Sequence, residues 1–219
     1  MEPSKRKVVH RSPAHTVRLI HLPHLQEQPV EADSSVERDF VLIASLRVGI
    51  TSIQHQPFRL TLGSGTYTPD FLLQFQDKSK VVVEVKPASK VPRYLELFAE
   101  AKTHLASHGL HFMVARDTVL RKDLMAERAL MIRRYAKTRC PFVEQERALE
   151  LVSQHPAGIP IRSLLHAGVA RPTLFHLIAY RRLQTDDELN TREGAVLTLP
   201  KPQTKETSHA VRFAQWLDA

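Results

Sequence analysis

The chain has one cysteine, Cys140, so it can form no internal disulfide, which fits a reducing cytoplasm. It has no apolar run approaching the roughly 18 residues that a membrane-spanning helix needs, which excludes such a helix. The segment from Met1 to Arg11 is basic and polar and lacks an apolar h-region, so no secretory signal is expected there. Zinc-type Cys/His spacing is also missing. The twelve histidines are therefore expected to be scattered surface or core residues. Acidic residues are the deficient charge: Lys and Arg number 31 against 23 Asp and Glu, for a net charge of +8. The resulting pI of about 9.8 favours an anionic partner, either nucleic acid or a membrane surface. What remains is ordinary for a globular protein, with 42% hydrophobic and 25% charged residues. A length of 219 residues suffices for one good core and a small second domain.

Tyr67-Thr68-Pro69-Asp70, followed fourteen residues later by Glu84-Val85-Lys86, organises the rest of the chain. Strand alternation puts Glu84 and Lys86 on one face with Val82, while Val81, Val83 and Val85 fill the other, so the charged pair is expected to be displayed. A second strand is expected from Asp70, with Gln76 to Lys80 as the turn, which returns Asp70 to the side of Glu84. Two carboxylates on neighbouring strand ends make a hard oxygen site suited to Mg2+. A lysine two residues on can steady an attacking water or the charge on the phosphorane. An idle exposed ion pair is the competing reading, and for a lone Glu-x-Lys it would be preferred. Pro69 shifts the balance by fixing the strand entry and leaving Asp70 at a strand margin.

Upstream, residues 1 to 15 read as a flexible basic arm in which Lys5, Arg6 and Lys7 are candidate DNA contacts. Val17 to Leu22 reads as a short strand and Pro23 to Ala32 as loop. Ser34-Ser35-Val36-Glu37 fits a capping box that opens a helix to about Val48, ended by Gly49. Glu37 heads the inward stripe Phe40, Val41, Ala44 and Val48, so it either caps the helix or reaches a site; periodicity leaves both open. Ser52 to Leu62 reads as one strand containing Gln56-Pro57. Downstream, Pro92 begins a helix ending at His108-Gly109, and Leu110 to Ala115 forms a strand. This order predicts a mixed sheet flanked by helices with a right-handed crossover.

From Arg116 to Arg139 there are eight basic and three acidic residues, which makes Arg121, Lys122, Arg128, Arg133, Arg134 and Lys137 further candidate DNA contacts. Beyond Cys140-Pro141, helices over 142–155, 160–166 and 171–183 have helix-turn-helix spacing, and 183–185 with 195–199 resemble a wing. The third helix is apolar over most of its surface, with Leu174, Phe175, Leu177 and Ile178 in one run, which suits either its own small core or a protein partner. The fold expected is therefore α/β: a catalytic domain over 16–139, a winged-helix-like domain over 140–199 and a tail over 200–219.

In order and spacing, Ser34-Ser35-Val36-Glu37, Gln56-Pro57, Tyr67 to Phe71 and Glu84 to Pro87 resemble the pattern of the TnsA endonuclease family, whose catalytic domain is restriction-endonuclease-like. The resemblance covers about residues 16 to 138. It implies that Glu37, Asp70 and Glu84 hold one or two Mg2+ ions, with Mn2+ as a substitute, that the Val85 carbonyl is a further ligand and that Lys86 is the catalytic lysine. In some members a glutamine stands at the position of Glu84. The resemblance further implies cleavage of double-stranded DNA at the 5′ ends of a transposon in a bacterial cytoplasm, together with the TnsB transposase and the TnsC ATPase. The alternatives are a stand-alone restriction or junction-resolving nuclease of the same fold, and a non-catalytic winged-helix adaptor.

Overall fold

The computed structural model describes residues 2–3, 17–200 and 208–218. By contact they divide into two compact units. One takes 2–3, 17–45, 49–120 and 208–218, and the other takes 46–48 and 121–200.

In the first unit, β1 (Glu2–Pro3) pairs with β5 (Phe58–Leu62), and β2 (Arg18–Ile20) pairs with β3 (Val30–Ala32). The end of the stretch expected as loop is thus a strand, with Val30 and Ala32 buried on one side. The helix α1 (Ser35–Ser45) is capped as its sequence requires: the Glu37 N–H donates to Ser34 Oγ at 3.1 Å. Glu37 Oε2 accepts from the Asp33 N–H at 2.8 Å, one residue earlier than an ideal box. The helix stops at Ser45 rather than near Val48. Gly49 instead serves the entry to β4 (Ile50–His55): its φ is +93°, and a Cβ there would sit 2.5 Å from the His209 ring.

The single strand expected over Ser52 to Leu62 is two strands in different sheets. Gln56, at φ +41°, and Pro57, which has no N–H to donate, break the ladder between β4 and β5. β5 pairs with β6 (Gly65–Tyr67), while β4 joins β7 (Phe71–Phe75), β8 (Lys80–Lys86) and β9 (His111–Arg116) in a four-stranded sheet of order β4-β7-β8-β9. The first two pairings are antiparallel; β8 and β9 run parallel and are joined through α2 (Leu95–Ala106). This is the mixed sheet flanked by helices that the element order predicts.

Both faces of the sheet are covered. Phe71, Phe75, Phe40 of α1 and Phe213 of α8 (His209–Asp218) pack with ring centroids 5.3–6.4 Å apart on one side. Val82, Tyr67, Phe98, Leu105 and Phe112 form the core on the other. The charged side of β8 is therefore not displayed: Glu84, only 3% exposed, is buried beside Val82 because β8 is a central strand with α2 and the β5–β6 hairpin over that face.

After α3 (Asp117–Leu120), the second unit contains α4 (Met125–Tyr135), α5 (Phe142–Ser153), α6 (Ile161–His166) and α7 (Arg171–Ala179). A ladder of β10 (Ile159–Pro160) with β11 (Val196–Leu197) and a bridge between Gln184 and Thr198 complete it. The division falls at Leu120, upstream of the boundary expected at 139/140, because α4 packs on α7. Tyr135 meets Phe175 edge to face at 5.1 Å, and Leu174, Phe175, Leu177 and Ile178 are all buried. The apolar run of α7 is consumed in the core of its own unit. Residues 46–48 belong here through Arg47, whose Nη1 lies 2.6 Å from Asp187 Oδ1.

Candidate active site

The β7–β8 hairpin sets the register from which the site is built. Phe71 opposes Val83, which brings Asp70, just before β7, alongside Glu84 and Val85. The Val85 N–H donates to Asp70 Oδ2 at 2.8 Å and fixes that carboxylate, while the Asp70 carbonyl accepts the Gln56 N–H at 2.8 Å. Lys86 Nζ lies 2.6 Å from Glu84 Oε1 and 3.6 Å from Asp70 Oδ2. Tyr67 donates its hydroxyl to Glu84 Oε2 at 2.5 Å. Sequence reasoning used Tyr67 only as part of a motif; the buried partner it supplies to Glu84 comes from strand pairing and has no local signal.

The electrostatics are those of crowded carboxylates. Burial, then the charge of Glu84, pushes the Asp70 carboxyl up to about 8, against the opposing pull of Lys86 and the Val85 N–H, with Glu37 adding to the rise. Burial draws the Lys86 ammonium down, but Asp70, Glu84 and Glu37 together outweigh it and hold its pKa above the ordinary lysine value. Burial, then Glu84, raises the Tyr67 hydroxyl far above its usual range, so it remains a donor. Glu37, 8% exposed, both caps α1 and acts on this cluster through its charge.

A second arrangement escaped sequence reasoning altogether. Asp33, Glu37 and His55 each place a ligand atom within 4.8 Å of the others. Scanning for Cys/His spacing could not find it, because its members come from a loop, a helix and a strand.

The candidate DNA contacts come from the first residues of the chain and from α4 with the segments that flank it. Lys5, Arg6 and Lys7 lie outside the described residues. Arg121, Lys122, Arg134 and Lys137 are exposed on the second unit. Lys122 stands 4.0 Å from Glu188. Arg128 spends its guanidinium on the carbonyls of Asp123 and Glu188, the latter at 3.0 Å from Nε. Arg133 is half-buried, and burial lowers its pKa.

No helix among the described residues is long and apolar enough to cross a membrane. No curated protein matches the chain. Residues 36–117 match the family model described as TnsA-like endonuclease N terminal. That stretch contains Glu37, Asp70, Glu84 and Lys86 and spans the sheet on which they meet, so this part of the chain is similar to a TnsA-like endonuclease N-terminal domain.

Proposed function

We propose that the protein is the Mg2+-dependent DNA-cleaving subunit of a heteromeric cut-and-paste transposase, hydrolysing phosphodiester bonds at the 5′ ends of the element. A TnsB-type transposase would cut the 3′ ends and a TnsC-type ATPase would regulate both. The observation that carries this reading is the shortage of positive charge around Asp70: among the described residues, the carboxylates of Asp70, Glu84 and Glu37 face the ammonium of Lys86. A hard divalent cation fits such an oxygen-rich donor set. Asp70, Glu84 and Glu37 would hold it, with the Val85 carbonyl as a further oxygen and Mn2+ as a substitute. When bound, it supplies charge neutralisation and polarises the phosphate oxygens.

The remaining roles belong to the chain's own side chains. Lys86, a donor already beside both carboxylates, offers a hydrogen bond to a phosphate oxygen and offsets the charge that gathers there. Tyr67 holds Glu84 in one orientation, and the Val85 N–H does the same for Asp70.

The test is a nicking assay on transposon-end duplex in Mg2+, with and without TnsB and TnsC. Cleavage at the 5′ ends that needs the partners and is lost in Asp70→Ala is expected. Cleavage without partners would assign a stand-alone restriction or junction-resolving nuclease. No cleavage by the complete wild-type set would leave the non-catalytic adaptor.

A further inference from the structure

Asp33, Glu37 and His55 are an aspartate before α1, a glutamate in its first turn and a histidine at the end of β4, and the fold holds them together by separate means. The Asp33 N–H draws the Glu37 carboxylate back towards Asp33. His55 is paired with Phe71 across β4 and β7, its ring 5.5 Å from the phenyl ring. Gln56, next in sequence, is tied by its N–H to the Asp70 carbonyl and reaches Asp33 Oδ2 from Nε2 at 3.5 Å.

The oxygens of this region are short of donors. Asp33 Oδ1 and Gln56 Oε1 are closed off from solvent and accept no hydrogen bond, and Glu31 Oε2 is in the same condition. Buried acceptors in that state are costly and uncommon, and a cation satisfies several at once. His55, Gln56 and Glu31 also line a cleft of about 670 Å³.

We propose that Asp33, Glu37 and His55 bind a divalent transition-metal ion at a second site, which shares Glu37 with the cation expected at Asp70 and Glu84. One imidazole with two carboxylates suits a borderline ion such as Zn2+ better than Mg2+, which prefers all-oxygen shells and keeps its waters. Ligand atoms around zinc sit roughly 3.4 Å apart at the usual bond lengths. The three donors, already within 4.8 Å of one another, need only a small closure. Glu37 is where the two sites adjoin, since its charge is felt at Asp70 and Lys86. The inference does not rest on the nuclease reading, and binding alone tests it.

The full chain should be titrated with Zn2+ against a chromophoric chelator in saturating Mg2+. The parent carries His104→Ala and His108→Ala, because those rings, 4.8 Å apart at the C-terminal end of α2 and just beyond it, can hold zinc themselves. Asp33→Asn and His55→Gln should each weaken the tight site by about tenfold or more, while Asp70→Ala should not weaken it. Unaltered affinity in both variants, or an equal loss in Asp70→Ala, would overturn the proposal. If the variants do not fold, the Co2+-loaded parent decides: a paramagnetically shifted imidazole N–H resonance supports the site, and the absence of any such resonance overturns it.

Discussion

The two units handle charge in opposite ways. In the first, Glu84, Asp70, Lys86 and Glu37 are pressed into or against the interior around one sheet end, and Asp70 retains its proton up to about 8 as a result. In the second, the interior is apolar, as with Leu174 and Phe175; charged groups such as Arg134 and Lys137 stay in water, Arg128 ties down a loop, and the partly buried Arg47 is met by Asp187. Buried and mutually repelling charges cost stability and persist where chemistry uses them. The comparison teaches that chemistry belongs to the first unit, whereas anything the second recognises must meet its exposed surface.

The largest expected effect is on cleavage. Lys86→Ala should lower the single-turnover rate by about two to four orders of magnitude while isothermal titration still detects Mg2+, because in the proposed mechanism the ammonium acts on phosphate rather than on metal. Normal cleavage in that variant would make the buried charges of the first unit structural and break the comparison.

In the second unit the large effect should be on folding. Phe175→Ala deletes a ring that is 2% exposed and should destabilise this unit by about 3–5 kcal/mol in urea denaturation. A stable Phe175→Ala protein that had lost a partner would instead return α7 to the role of a docking helix.

A smaller effect sharpens the electrostatic half. The Asp70 carboxyl titrates near its ordinary value, about 3.9, in the unfolded chain but near 8 in the folded one. The folded state therefore binds the extra proton between those values, and its stability falls as pH rises from about 4 to about 8. In metal-free protein the melting temperature should decline over that interval, and Asp70→Asn should flatten the decline. A wild-type profile that rises across the interval would contradict the repulsion described for the site.

The smallest effect should come from the surface of the second unit. Arg134→Gln with Lys137→Gln removes two exposed charges. If both meet phosphate, the salt dependence of DNA binding should become shallower by roughly two counterions' worth of slope, with little change in melting temperature. An unchanged slope would exclude Arg134 and Lys137 from contact with the DNA.

Several of these features were legible along the chain because their causes are local. Alternation over Phe71–Phe75 and Val81–Val85, with a turn between, specified the hairpin and with it the meeting of Asp70 and Glu84. Ser34 and Glu37 specified a helix start through bonds spanning only four residues. Other features depended on what packs from elsewhere. Nothing in Lys80–Lys86 says that α2 and the β5–β6 hairpin will cover its charged face, so Glu84 read as displayed and is buried. The run over Ser52–Leu62 read as one strand although the phase of its apolar residues shifts between Ile53 and Phe58, and the pairing of its halves with different strands makes two.

By itself the sequence determined the hairpin, the cap and the basic balance, since each follows from residue type and short-range periodicity. Tertiary structure alone decided that Tyr67 holds Glu84, that His55 stands beside Asp33 and Glu37, and that α4 belongs with α7. These are contacts between segments distant along the chain, and they form only when burial of the whole apolar surface selects one packing, which no local pattern encodes.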